Sequence, residues 1–218
     1  MILLSGGIKG GSGKTTTAVN LAILRASQGQ DVLLVDADDQ ETCADFTALR
    51  TEEHPTLPAY TCVKLTGAAV RTEVMRLAER FDDVVIDTGG RDTSSQRAAL
   101  SVADVLLVPF VPRSFDLWSL EKAAALVEEM RTVNPQLRGY CFLNRADPRG
   151  SDNSDAADIL RETDTLAFLE TPLGSRKAFS NAAAHGLAVT ELKPRDPKAT
   201  EELGALYRAV FETPMRSG

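Results

Sequence analysis

Apolar and polar positions along this chain follow two patterns. One is a set of short runs of branched and aromatic residues; the other is longer stretches in which apolar residues recur every three or four positions. The runs Ile2–Leu4, Val32–Val35, Val84–Ile86, Val105–Val108 and Tyr140–Leu143 predict strands, and helical spacing predicts helices over Lys14–Gln28, Ala68–Phe81, Leu117–Val133, Asp152–Glu162 and Ala199–Phe211. Val32-Leu-Leu-Val35 is apolar at every position, the pattern of a strand covered on both faces. Strand–helix alternation from end to end implies right-handed crossovers. The predicted fold class is therefore α/β, a doubly wound and mostly parallel sheet flanked by helices. No repeat, low-complexity tract or long linker interrupts the 218 residues, so residues 1–218 read as a single domain. Ligands of such sheets bind beyond the carboxyl ends of the strands, which is where chemistry is to be sought.

Composition narrows the classes. Hydrophobic residues make up 43% and charged residues 25%, ordinary for a globular domain. The longest apolar run, Val102–Val111, is broken by Asp104 and Pro109 and suits a buried strand better than a membrane span. Met1 leads straight into Ile-Leu-Leu without a basic n-region, so a cytoplasmic location is expected, with no leader and no membrane partner. Cys43, Cys62 and Cys141 form no CxxC pair and read as free thiols. A net charge of −7 argues against nucleic acid, yet residues 171–198 carry five basic and two acidic side chains, a local balance of +3.

Residues 6–17 read Gly-Gly-Ile-Lys-Gly-Gly-Ser-Gly-Lys-Thr-Thr-Thr, directly after the first predicted strand and opening the first helix. Glycines let backbone N–H groups turn inward around a phosphate, and the helix N-terminus adds positive potential. Gly10, Gly11, Ser12, Gly13, Lys14, Thr15 and Thr16 are the expected nucleotide-binding residues. Lys14 can reach the β/γ-phosphates of ATP, and the Thr15 hydroxyl can ligate Mg²⁺. No acidic side chain occurs in residues 1–30, which suits an anion site. An ordinary P-loop, G-x-x-x-x-G-K-[ST], would begin with glycine at position 8. Here position 8 is Ile8, and a second lysine, Lys9, stands five residues before Lys14.

This K-G-G-x-G-K-[ST] form resembles the deviant Walker A ATPases of the ParA and MinD family, P-loop NTPases whose first lysine reaches across a dimer to the partner's nucleotide. The resemblance extends to Asp36-Ala37-Asp38-Asp39-Gln40, similar to the family's D-x-D-P-Q segment with Asp39 in place of proline. It implies that Asp36 helps hold the Mg²⁺ environment and that Asp38 orients the attacking water, making Lys9, Lys14 and Asp38 the catalytic set. Asp87 ends the apolar run Val84–Ile86, which fits the Walker B position and adds it to Thr15 and Asp36 as a metal residue. The family commonly continues with Pro-Pro-Ser; this chain has Thr88-Gly89-Gly90, then Arg91-Asp92. The glycine pair leaves this backbone free to move with the γ-phosphate, as in a switch. Val108–Ser114 looks like the loop after the next family strand. Phe142-Leu143-Asn144-Arg145 matches the place of an adenine-contacting asparagine, and Pro172–Lys198 resembles the family's C-terminal stretch.

The resemblance covers nearly the whole chain and points to the small, plasmid-type subgroup, since the first strand begins at once. It implies an ATP-bound homodimer that binds DNA without sequence preference, associates with the nucleoid in that state, and is reset by slow hydrolysis stimulated by a ParB-like partner. Arg176 matches the family arginine, and Lys177 and Arg195 are the further expected DNA contacts. The alternative is a MinD-like or protein-cargo positioning ATPase that does not use DNA. A MinD-like membrane role needs a basic amphipathic C-terminal helix, and Thr200–Phe211 carries Glu201, Glu202 and Arg208 before a short tail, Glu212–Gly218. An iron–sulfur role needs interface cysteines that these three do not match. A tyrosine kinase of the superfamily needs a tyrosine-rich tail, whereas only Tyr207 lies near this one.

Overall fold

β1 (Ile2–Ser5) lies at the centre of a sheet of seven parallel strands, in a computed structural model that describes residues 1–115, 117–147 and 151–212. Its neighbours are β4 (Asp83–Thr88) and β5 (Val105–Phe110). β2 (Val32–Ala37) and β3 (Thr61–Lys64) lie outside β4, while β6 (Arg138–Leu143) and β7 (Ala167–Leu169) lie outside β5. Every position of β2, β4 and β5 is buried, as their apolar runs Val32–Val35, Val84–Ile86 and Val105–Val108 require. Two apolar cores fill the two faces. One packs α3 (Ala69–Ala78), α4 (Ser94–Leu100), α5 (Leu117–Arg131) and α6 (Asp152–Arg161) against the sheet. The other packs α1 (Lys14–Ser27), α2 (Thr42–Glu53), α7 (Lys177–Ala183) and α8 (Pro197–Phe211).

The expected doubly wound architecture is thus present, with differences at its margins. β3 and β7 are the two edge strands, short and half exposed, so neither offers a fully apolar run. α4 and α7 have seven residues each, too few for a helical period to stand out. α2 buries only Cys43, Phe46 and Arg50, and a buried arginine hides the stripe. The α3, α5 and α6 helices stop one to three residues before the expected ends. α8 starts two residues early, at Pro197, with the Asp196 carboxylate capping the Ala199 N–H at 3.0 Å. No helix among the described residues is long and apolar enough to cross a membrane. Residues 213–218, most of the tail judged too short for lipid, lie outside the described residues.

Parallel register aligns the strand ends. Ser5 pairs with Asp87, and Asp36 with Asp87, so two carboxylates stand side by side at the carboxyl edge beside the loop that leaves β1.

Candidate functional site

That loop runs from Gly6 to Gly13, and glycine is required where it turns most sharply. Gly11 and Gly13 have φ of +71° and +96°, a region costly to any residue with a Cβ. A Cβ at Gly13 would also lie 2.1 Å from Asn144 Nδ2. α1 then starts at Lys14 with no side-chain cap and no acidic residue in its first turn, leaving its first N–H groups to an anion. Gly10, Gly11, Gly13, Lys14 and Thr15 line a cavity of about 660 Å³ whose lining also includes Asp38, Gly89, Gly90 and Arg91.

Lys14 is buried, and its Nζ donates to the Lys9 carbonyl at 2.9 Å. Burial lowers its pKa, opposed by the carboxylates of Asp87 and Asp38. The Thr15 hydroxyl donates to Asp87 Oδ2 at 2.6 Å, and the Cys43 thiol donates to the same oxygen at 3.4 Å. Asp87 Oδ1 is buried and accepts no hydrogen bond. Burial, with Asp36 adding to it, pushes the Asp87 pKa up to about 7 against the opposing bonds from Thr15 and Cys43. A buried carboxylate oxygen left without a donor, next to a threonine hydroxyl with a free lone pair, fits a hard divalent cation.

Asp36 differs from the expectation of a metal residue in one respect. Its Oδ1 accepts the Asp38 N–H at 3.2 Å and its Oδ2 the Ala44 N–H at 2.8 Å, so both oxygens shape the loop and the start of α2. Asp38 is half-buried on the cavity wall and accepts the Gln40 N–H at 3.2 Å. The Gly89-Gly90 pair has a steric reason. A Cβ on Gly89 would meet Asp38 Oδ1 at 3.1 Å, and one on Gly90 would meet the Gly10 nitrogen at 2.5 Å. Gln96, at the start of α4, completes the join: its Oε1 accepts the Thr88 hydroxyl at 3.2 Å and the Gly7 N–H at 3.4 Å.

Lys9 does not line the phosphate cavity of its own chain; it lines a small neighbouring recess with Ile8, Val108 and Phe115. Asn144 Nδ2 donates to the Ser12 carbonyl at 2.7 Å, and its Oδ1 accepts the Arg145 N–H at 3.0 Å. Its Nδ2 therefore holds the phosphate loop and its Oδ1 the turn after β6, while the residue also lines a second cavity of about 660 Å³. That cavity shares Gly13, Thr16 and Arg145 with the first, so one continuous depression runs along the loop. Arg176 and Lys177 form its outer wall. The Arg176 guanidinium is engaged by Glu202 of α8, with Nε 2.8 Å from Oε2, whereas Lys177 is exposed. Arg195 is exposed on the loop before α8 and lines neither cavity. Sequence reasoning did not find Arg91, Gln96, Cys43 or Glu202, because each meets the site only through tertiary packing.

A family model described as the CobQ/CobB/MinD/ParA nucleotide binding domain matches residues 4–189. The maintenance of carboxysome distribution protein A of Gloeobacter kilaueensis is 33% identical over 208 residues, covering 94% of this chain and 89% of that protein. The chromosome partitioning protein ParA of Caulobacter vibrioides is 41% identical over 168 residues, covering 59% of this chain and 63% of that protein. A solved ATP complex of a Cyanothece McdA variant superposes with a TM-score of 0.79 at 18% identity, covering 99% of this chain and 98% of that one.

Proposed function

The chain belongs to the CobQ/CobB/MinD/ParA nucleotide-binding family, and from that premise we propose that it is an ATP-timed carrier whose sandwich dimer binds DNA. Its coarser character is that of a partitioning or positioning ATPase of the ParA and MinD type. The observation that carries the finer proposal is the position of Lys9, outside its own phosphate cavity and on a loop held against that cavity by Lys14. Such a lysine completes charge neutralisation at a second protomer's phosphates, so ATP bridges two copies.

Within each protomer the loop N–H groups and Lys14 hold the β/γ-phosphates, and Asp38 positions water. Thr15 and Asp87 are the residues that hold Mg²⁺, with Asp36 fixing the loop behind them. Bound there, the cation neutralises charge that develops on the phosphate oxygens. Phosphoryl transfer then depends on positioning and charge rather than on a nucleophilic side chain.

DNA contact is assigned to the +3 segment. In this conformation Lys177 and Arg195 are exposed, as are Lys193 and Lys198; Lys177 and Arg195 are assigned the phosphate contacts, and Arg176 contributes when Glu202 releases it. Two protomers double these contacts, so a dimer binds where a monomer does not. A ParB-like or cargo-bound protein that stimulates hydrolysis ends the DNA-bound state. The carboxysome relative favours a large protein body as the cargo of such a cycle. Against a membrane role, α8 buries Leu203, Leu206, Tyr207 and Val210, leaving no apolar stripe there for lipid.

The test is binding to random-sequence DNA without nucleotide, with ADP, with ATP and with a slowly hydrolysed analogue across a salt series. Binding confined to ATP and its analogue is expected, with a log–log salt slope of about −4 for two cations per protomer. Equal binding in all four states, or in none, contradicts the carrier function.

A further inference from the structure

We propose that Arg91 is a catalytic residue of the same chain, reaching the terminal phosphate of bound ATP from the loop after β4. The inference rests on the ATPase reading and adds to it a charge that Lys14 and Lys9 do not supply. Arg91 lines the phosphate cavity together with Lys14 and Thr15. It is exposed, and its guanidinium has no hydrogen-bond or ion-pair partner among the described residues. Its neighbours on both sides are held.

On the N-terminal side, Gly90 lies so close to the phosphate loop that a Cβ would come within 2.6 Å of Gly10 Cα. On the C-terminal side, the Asp92 carboxylate takes two bonds from Arg97, at 2.7 and 2.8 Å, and Arg97 is itself held by Glu129 of α5. Thr93 then caps α4 by accepting the Gln96 N–H at 3.1 Å. Arg97 is therefore a neutralised structural cation, while Arg91, six residues earlier, is an anchored backbone with a free side chain at the cavity rim. A flexible arginine on a fixed base suits a ligand that brings its own negative charge.

In hydrolysis a water oxygen forms the new bond to the γ-phosphorus. The bond from that phosphorus to the β–γ bridging oxygen breaks, and its electron pair remains on ADP. One water proton stays on the new phosphate and the other goes to solvent. Negative charge spreads over the γ-oxygens as this happens, and a guanidinium placed there stabilises the transition state more than the bound substrate. Because Gly90 lies against the phosphate loop of its own chain and Asp92 is held by Arg97 of that chain, Arg91 acts within its own site.

The experiment compares wild type, Arg91→Ala and Arg91→Lys by ADP affinity and by single-turnover ATP hydrolysis. Arg91→Ala is expected to bind ADP within about twofold of wild type and to hydrolyse ATP about 100-fold more slowly. Arg91→Lys should recover part of that loss, since an ammonium supplies charge without the fork. Mixing Arg91→Ala with Lys14→Ala protein should restore no activity, because no site in the mixed dimer then holds both residues. Unchanged hydrolysis, an equal loss of ADP binding, or restoration on mixing each overturns the assignment. Wild type that turns over no ATP overturns the ATPase reading and this assignment together.

Discussion

Asp87 is a carboxylate placed where ionisation is disfavoured until something positive arrives. Its folded pKa of about 7 stands above the ordinary value of 3.8. Between those two values the folded protein keeps a proton that the unfolded chain has lost. Stability without nucleotide or metal therefore falls as pH rises through that window, and stays low above it. In the presence of a chelator, the wild-type melting temperature should drop between pH 5 and pH 8. Asp87→Asn should show a flatter profile and be the more stable protein at pH 8. Parallel profiles would place the cost elsewhere. Asp87 itself was legible, because an apolar strand ending in aspartate after a P-loop is a specific signal. Its thiol donor Cys43, 44 positions away in sequence, was not, since only the β2–β4 pairing and the start of α2 bring them together.

Elements carry the same lesson in different form. The central strands were legible because burial on both faces forces unbroken apolar runs, as in Val32–Val35 and Val84–Ile86. The edge strands β3 and β7 were not, because a half-exposed strand of three or four residues looks like any loop. The Gly89-Gly90 segment was read as a departure from a pattern and as a backbone free to act as a switch; the fold adds a steric reason for it, close contact with Gly10 and Asp38. Gly90→Ala should leave the melting transition cooperative while lowering ADP affinity about tenfold, near 1.4 kcal/mol, because the phosphate loop must move aside. Unchanged ADP binding would mean that the contact yields freely. α2 is tied down by Arg50, whose guanidinium meets both Glu191 oxygens at 2.7 and 2.8 Å and the carbonyls of Gly186 and Pro58. Arg50→Met should cost about 3 kcal/mol in urea unfolding, since Glu191 and two carbonyls lose their partner. A loss below about 0.5 kcal/mol would class the pair with exposed salt bridges.

At the scale of the whole molecule, charge and assembly decide what the site is for. On the proposed function, a net charge of −7 disfavours DNA binding by a lone protomer, and the local +3 segment would act when two copies present it together. Its placement was legible as composition, but the engagement of Arg176 by Glu202 was not, because that pair joins the start of α7 to α8 across 26 positions. Lys9 was legible as a motif and acquires its meaning from position, outside the cavity it is expected to complete in a partner. Sedimentation velocity of wild type and Lys9→Gln, each saturated with ADP or with a slowly hydrolysed ATP analogue, tests that meaning most directly. The account predicts a dimer only for wild type with the analogue, and a nucleotide-bound monomer for Lys9→Gln in both states. A Lys9→Gln protein that dimerises with the analogue as wild type does would contradict it.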